Sequence, residues 1–501
     1  MGPISEAYQQ LFRLRSLTIL EHPIIKNLHL DFCQNFGEPM GIHISVIIGA
    51  NGIGKSHLLS VIAEIFSLLE KCSRGKETTT LSYYFKIRYI AKWENFEFSN
   101  FGEYNPAGRA RKFNTYYFRK ENITVPAESM TLPWRVIASS TTINDKFVAK
   151  STEMYRYKGV RNEKSPSATG TRTLVRKTVE SLLNSLDAKV GFRQQLKDLL
   201  EHLDLQPKLE LTYSLRYKNV FLNAELDRNK IERIFEEQSE TFKKRTTQLW
   251  GTSNYEKIKL EQVWKLDEIA NFYNNLSHNK AMTEKGTLYY DLLDEECNVH
   301  EDRKALKILS ALDLLTYPSL RIYKDGVFLF DDSSSGETSL LCQMASIMSE
   351  IQPGSIILID EPESSAHPNW QIKYIGWLKN IFVHYYNCHF IIATHSHFML
   401  TDLEPNTSDI IALERNRDGL HNIAEGINTF CWSVDDILYR VFHVRNTRNY
   451  VFERKMLKLF DLLEHKEQNQ SEIKNLASEL SSYRLNDDDP LNILLKKAGY
   501  A

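Results

Sequence analysis

Gly49-Ala50-Asn51-Gly52-Ile53-Gly54-Lys55-Ser56 has the spacing G-x-x-x-x-G-K-[ST] of a phosphate-binding loop. Its glycines let backbone N–H groups curl around phosphate oxygens where a Cβ would collide. Lys55 can reach the β- and γ-phosphates, and the Ser56 hydroxyl suits a metal ion. A second polar set lies far along the chain, where Asp360 and Glu361 follow the apolar run at 356–359. Two adjacent carboxylates at the tip of a buried strand are costly unless a cation or a proton occupies them. Asp360 can hold Mg²⁺ through its hydration shell, and Glu361 can accept a proton from an attacking water. His395 ends a third apolar run, at 389–393. A lone strand-end histidine is usually structural, but beside the other strand-tip groups it reads as part of one phosphate site. Ser334-Ser335-Gly336-Glu337 opens a helix carrying Leu340, Leu341, Met344, Ala345 and Met348. Serine caps helices well, yet the position of this turn, 24 residues before Asp360, argues for a role at the site.

These groups need strands and helices to bring them together. The β-branched run at 44–48 predicts a buried strand before the loop, and 58–66 predicts a buried helix after it. That helix starts at Lys55 and Ser56, so its positive dipole end faces the same phosphates. Residues 11–20 and 24–32 predict a hairpin, and 80–93 a further strand pair. The strand expected at 132–140 leads into Asp145-Lys146-Phe147 and then 155–161. Its small hydroxyl residues suit either a loop that senses metal or phosphate, or a plain strand end with a turn. From about 165 to 300, Leu174, Val175, Val179, Leu182, Leu183 and Leu186 fall at helical spacing, as do Leu196, Leu199, Leu200 and Leu203. Residues 224–250 predict a charged helix with Ile231, Ile234 and Phe235 on one face, so this region reads as a helical insertion. A strand is expected at 327–330. Trp370, Tyr374, Trp377, Leu378, Ile381 and Tyr385 mark the core face of a later helix. The tail is helical, with Val434, Ile437, Leu438 and Val441, then Val451, Met456, Leu457, Phe460 and Leu463. Its cluster of Arg440, Arg445, Arg448, Arg454 and Lys455 is either a solvated face or a surface for phosphates or a partner.

Bulk properties narrow the class. A chain of 501 residues predicts two or three domains, and 42% hydrophobic with 25% charged residues is ordinary for a globular protein. The net charge of −2 gives no global pull toward nucleic acid, so any such contact needs a local patch, such as the basic turn at 106–112. Six scattered cysteines without a C-x-x-C pair predict reduced thiols and a cytoplasmic protein. No apolar run approaches the roughly 20 residues of a membrane span, and the N-terminus lacks a signal-peptide core. No heptad array, internal repeat or low-complexity linker is visible.

Taken together, the loop at 49–56, Ser334 to Glu337, Asp360-Glu361 and His395 resemble the ABC-type ATPase heads of the SMC, RecF and OLD (overcoming-lysogenization-defect) group. Asp360-Glu361-Pro362-Glu363, the following His367-Pro368, and Asn51 are most similar to OLD-type heads. The likeness covers about 10–160 and 300–425. A narrower one rests on Ile137-Ala138-Ser139-Ser140, Asp145-Lys146-Phe147, 155–161 and Asp435, Ile437 and Leu438. These resemble the PtuA-type ATPase of Septu and retron-associated antiphage systems.

The resemblance implies an α/β, ABC-type P-loop ATPase head, a mixed sheet with flanking helices, carrying a helical insertion and a helical C-terminal tail. The expected segments are 1–160 and 301–430 for the head, 161–300 for the insertion and 431–501 for the tail. ATP and Mg²⁺ are the implied cofactors. Gly49, Asn51, Gly52, Ile53, Gly54, Lys55, Ser56 and His57 would bind nucleotide, Ser56 and Asp360 the metal. Glu361 would polarise the water and His395 contact the γ-phosphate. Ser334, Ser335, Gly336 and Glu337 would be the signature that completes the site of an opposite subunit, so at least a homodimer is implied, with slow hydrolysis gated by closure. Ser333 stands where leucine is usual and Ser335 where the first glycine is usual. No metal-sensing glutamine is evident near 138–147, leaving Ser139, Ser140 or Asn144 as substitutes. The implied function is the ATPase subunit of a bacterial antiphage system, cytoplasmic and not membrane-bound. It would control a separately encoded effector, an HNH-type nuclease, with DNA or a retron reverse transcriptase/msDNA complex as a further partner. The alternatives are an SMC/RecF-like repair ATPase and a self-contained OLD-type nuclease. The second is disfavoured by the short helical tail, in which Asp487-Asp488-Asp489 reads as a loop before Pro490, and by the lack of an HNH-like histidine cluster.

Overall fold

The computed structural model describes residues 11–33, 41–78, 80–101, 115–161, 171–189, 191–215, 226–237, 266–277, 286–297, 299–311, 315–316, 318–324, 326–329, 335–364, 366–385, 387–424, 426–442, 449–464 and 470–483. It forms two compact units, Met1–Trp432 and Ser433–Ala501. Among the described residues no helix is long and apolar enough to cross a membrane.

In the large unit, β1 (Phe12–His22) and β2 (Lys26–Asp31) form the expected hairpin, and β3 (His43–Gly49) leads through the glycine loop into helix α1 (Lys55–Ser73). The antiparallel pair β4 (Tyr84–Ala91) and β5 (Glu94–Ser99) is followed by β6 (Tyr117–Lys120), β7 (Ile123–Thr124), β8 (Val136–Ser140) and β9 (Tyr155–Gly159). Helices α2 (Thr171–Ala188) and α3 (Phe192–His202) come next. Then follow β10 (Leu209–Ser214), α4 (Arg228–Glu237), α5 (Leu266–Ser277), β11 (Thr287–Asp291) and α6 (Val299–Ala311). The chain returns through β12 (Ser319–Lys324), β13 (Gly326–Leu329), α7 (Ser335–Glu350), β14 (Ile356–Asp360) and α8 (Pro368–Ile381). It closes the unit with β15 (His389–Ala393), β16 (Ser408–Arg415) and β17 (Leu420–Asn422).

The central sheet has the order β17-β16-β3-β15-β14-β8-β9, parallel except for β17. Strands β14 and β15 are buried at every position, as parallel strands covered on both faces must be, which is why they read as unbroken apolar runs. A separate antiparallel sheet, β2-β1-β4-β5-β6-β7, faces it. Helix α1 lies between the two and is apolar almost all round, burying Leu58, Leu59, Ile62, Ile65, Phe66 and Leu69. Phe66 packs edge-on to Phe12 and Tyr89 of the antiparallel sheet, at 5.5 and 5.6 Å. The loop helix is thereby clamped between both sheets.

The far ends of the parallel strands carry a buried polar knot. Cys33, His43 and His389 gather there, donors of a type that could hold a metal ion. The hydrogen bonding opposes that use. The Leu14 N–H donates to His389 Nδ1 at 3.1 Å, so the ring proton sits on Nε2 and points to Ser45 Oγ at 2.8 Å. A metal on Nε2 would leave Nδ1–H facing another donor, whereas a ligating histidine needs an acceptor there. Burial pushes the His389 pKa well down, which keeps the ring neutral. The knot ties β1 across the ends of β3, β15 and β16.

The region expected to be a purely helical insertion also supplies β10 and β11. With β12 and β13 they form a third sheet, β11-β10-β12-β13. Leu209, Leu211 and Tyr213 point inward alternately, a period-two signal of only six residues between leucine-rich helices. Of the charged helix expected at 224–250, α4 is described and Ile231 is buried; the remainder lies outside the described residues, as does the basic turn at 106–112. Tyr385, expected on the face of α8, is buried just beyond its end.

The small unit holds α9 (Val434–Arg440), α10 (Tyr450–Glu464) and α11 (Gln470–Ser481). Met456 and Leu459 of α10 pack on Ile473, Ala477 and Leu480 of α11, while Val451, Leu457 and Phe460 stay exposed. Arg445 and Arg448 of the expected basic cluster lie outside the described residues.

Candidate nucleotide site

Parallel registration places the site. Ile47 of β3 lies level with Ala393 of β15, Ala393 with Asp360 of β14, and Asp360 with Ser140 of β8. One row of backbone thus ends β15, β14 and β8 at one edge of the sheet, and β3 runs two residues further to Gly49. Strands stand roughly 4.8 Å apart, so groups just past these ends can meet. In open α/β sheets that edge is where ligands bind.

The loop geometry follows from its glycines. Gly49 has φ +155°, and a Cβ there would lie 2.8 Å from the Leu413 carbonyl oxygen on β16. Gly54 is left-handed at φ +118° and caps α1, so the helix begins at Lys55. Asn51 and Gly52 are exposed at the tip, whereas Ile53 is buried. Arg415 pins the loop from β16, donating to the Ile53 carbonyl at 2.7 Å and to the Ile24 carbonyl at 3.1 Å. Its role was not visible in the sequence because it comes from a non-consecutive strand.

Four of the expected site residues converge with Lys55. Its ammonium donates to the Gly49 carbonyl at 2.9 Å and to His395 Nε2 at 2.7 Å. Ser56 Oγ donates to Asp360 Oδ1 at 3.0 Å. Glu361 Oε1 stands 3.8 Å from His395 Nε2. The Glu361 backbone is held from both sides: its N–H donates to the Ala393 carbonyl at 2.9 Å, and Thr141 Oγ1 donates to its carbonyl at 3.3 Å. Its φ of +48° is unusual for a residue with a side chain and marks local strain in the turn that presents the carboxylate.

Electrostatics agree with this packing. Burial pushes the Lys55 pKa down to about 8, against the pull of Glu363, Glu361 and Asp360. Burial likewise raises Asp360 to about 7, with Glu361 adding to the rise. His395 is shifted down by burial and then by Lys55, so it accepts from the ammonium as a neutral ring. An excess of carboxylates over cations at a strand tip calls for a metal cation. Ser56 Oγ and Asp360 Oδ1, both oxygen donors, fit one.

Other expectations fall differently. His57 is half-buried, and its charge neighbours are Lys146 and His22. Ser334 lies outside the described residues; Ser335, Gly336 and Glu337 form the first turn of α7. Among the candidates for a metal-sensing residue, Ser140 is level with Asp360 but its hydroxyl engages Thr142, the Ser139 hydroxyl is buried without a partner, and Asn144 is exposed. Thr141, between them, is the residue that reaches Glu361, and sequence reading missed it. The carboxylates of Glu363 and Glu361 sit near Lys55 together, although only Glu361 was assigned a role.

Several solved structures are similar to this chain. The SMC head domain from Thermotoga maritima matches at 10% identity and a TM-score of 0.33, over 82% of this chain and 98% of that one. The Smc head domain with an extended coiled coil from Pyrococcus furiosus, bound to the C-terminal domain of ScpA, matches at 10% identity and a TM-score of 0.30, over 87% and 100%. The family model for the AAA ATPase domain matches residues 24–400, which takes in the glycine loop, the carboxylate strand and His395. The α/β P-loop ATPase-head architecture expected from the sequence is the one observed. With three quarters of its length inside that match, the chain belongs to the AAA ATPase domain family and is an ATP-hydrolysing P-loop NTPase.

Proposed function

We propose that this chain hydrolyses ATP at a site shared between two copies of itself, and that it is the ATPase subunit of an antiphage defence system that controls a separate effector nuclease. The observation that carries the first half is the meeting of Lys55, Ser56, Asp360, Glu361 and His395 at one sheet edge. Gly49, Asn51, Gly52, Ile53, Gly54, Lys55 and Ser56 take the triphosphate. Ser56 and Asp360 would hold Mg²⁺, which would supply charge neutralisation for the phosphoryl group. Glu361 accepts the proton of the attacking water, and His395 leaves Lys55 to hydrogen-bond the γ-phosphate. Ser334, Ser335, Gly336 and Glu337 serve as the signature that completes the nucleotide site of the opposite copy, so turnover follows dimer closure.

The defence reading draws support from the residues of the PtuA-like resemblance. Ser140 is level with Asp360, and the following Asp145 is locked by Tyr157 and Arg161 behind it. These residues form one support for the loop that touches Glu361. The two units accord with a head, 1–160 and 301–430 with its insertion, and an added tail from 431. The test is a phage challenge of cells carrying this chain with its neighbouring genes. Protection that disappears in Lys55→Ala and on deletion of an adjacent nuclease gene is expected. Plasmid cleavage by the purified chain alone would instead make it an OLD-type nuclease, and restored survival after DNA damage without phage protection would favour the repair ATPase.

A further inference from the structure

The strap that carries His395 is held by a residue that has no part in the scheme above. Strand β15 ends at Ala393, so the His395 N–H has no ladder partner. Glu363, in the turn after Glu361, accepts that N–H through Oε1 at 2.5 Å. Gln371 of α8 completes the stitch, accepting from Ser396 Oγ at 2.5 Å and donating to the Ala366 carbonyl at 2.8 Å. The chain at 394–396 is thus fastened to the turn at 363–366 from both sides of the histidine. The ring so held lies 2.7 Å from Lys55 Nζ and 3.8 Å from Glu361 Oε1. The second oxygen of Glu363, Oε2, is shut off from water, and the Thr394 hydroxyl beside the carboxylate favours its charged form. Its carboxylate is also the largest charge influence on Lys55.

We propose that Glu363 is a positioning residue for ATP hydrolysis, acting through His395: its carboxylate clamps the backbone that sets where the ring stands relative to Lys55 and the γ-phosphate. This rests on the role of His395 given above. A ring displaced by about 1 Å costs up to roughly a hundredfold in rate.

The test measures steady-state ATPase rates and the binding of a fluorescent ATP analogue by the full chain as Glu363→Ala, Glu363→Gln, His395→Ala and both double variants. Glu363→Ala should lower kcat by about tenfold or more while the analogue's Kd stays within about threefold. Glu363→Gln keeps an acceptor oxygen for the N–H and should recover to within about threefold of the parent. In the His395→Ala background either substitution should add less than about twofold, because the clamp then holds nothing. A full additional loss in that background overturns the inference, and so does a Glu363→Gln protein as slow as Glu363→Ala. If Glu363→Ala does not fold, Glu363→Met, which keeps the bulk and removes the acceptor, takes its place in the same cycle with the same expected and overturning outcomes. A His395→Ala protein with parental kcat would overturn both this inference and the reading beneath it, whereas additivity overturns this one alone.

Discussion

Replacing Lys55 with methionine should make the nucleotide-free protein more stable while abolishing its use of ATP. Lys55 is only 4% exposed, and burial holds its ammonium at about 8 in place of the ordinary 10.5. At neutral pH that corresponds to about 3 kcal/mol spent on keeping the charge inside. Methionine keeps the apolar stem and removes the charge. It forfeits the hydrogen bond to the Gly49 carbonyl, worth about 1 kcal/mol net, while the half-buried His395 ring can turn to water. The balance is a gain of about 2 kcal/mol, or roughly 2–4 °C in Tm for a unit of this size. Losing a charged donor to the phosphates should weaken ATP by about a hundredfold. The sign of the pH effect is fixed by the same numbers. Between about 8 and 10.5 the unfolded chain keeps the lysine proton and the folded chain releases it, so the parent gains stability from this group as pH rises through that window. Below 8 the full cost remains. Thermal melts of both proteins without nucleotide, at pH 7 and pH 9.5, read the effect as a difference in which other lysines cancel. The Tm advantage of Lys55→Met should be largest at pH 7 and shrink at the higher pH. A variant with parental circular dichroism that melts below the parent at pH 7, or that binds ATP within tenfold of it, would refute the reasoning.

Two further outcomes follow from the same geometry. Glu361→Gln should bind ATP but hydrolyse it at least about a hundredfold more slowly and accumulate as a closed dimer on size-exclusion chromatography with ATP; turnover at the parent rate would remove Glu361 from the chemistry. Asp145→Ala should cost about 3–5 kcal/mol in denaturant unfolding, because its fully buried carboxylate pairs with Arg161 at 2.5 Å and accepts from Tyr157 at 2.8 Å; a loss under about 1 kcal/mol would contradict that account.

What the amino-acid sequence determined by itself was the local chemistry. The glycine loop, the strand ahead of it and the helix behind it are set by neighbours within a few residues, so Gly49 to Ser56 were legible without any fold. The same holds for Asp360-Glu361 and for His395, each at the end of an apolar run whose burial on both faces leaves a plain signature. The strands β10 and β11 were not legible, because six residues of alternation between leucine-rich helices carry too little period-two signal. Only the tertiary structure decided which oxygens and nitrogens meet. The order β3-β15-β14-β8 and its register bring Lys55 to His395, Ser56 to Asp360 and Thr141 to Glu361. Glu363 stood in plain view within Asp360-Glu361-Pro362-Glu363, but its partner is a backbone N–H just past the end of another strand, and a backbone N–H has no letter in the sequence. Arg415 is the same case, a side chain whose acceptors are carbonyls of residues far away along the chain. Motif letters report side chains, while long-range pairing to main-chain groups exists only once the sheet has closed.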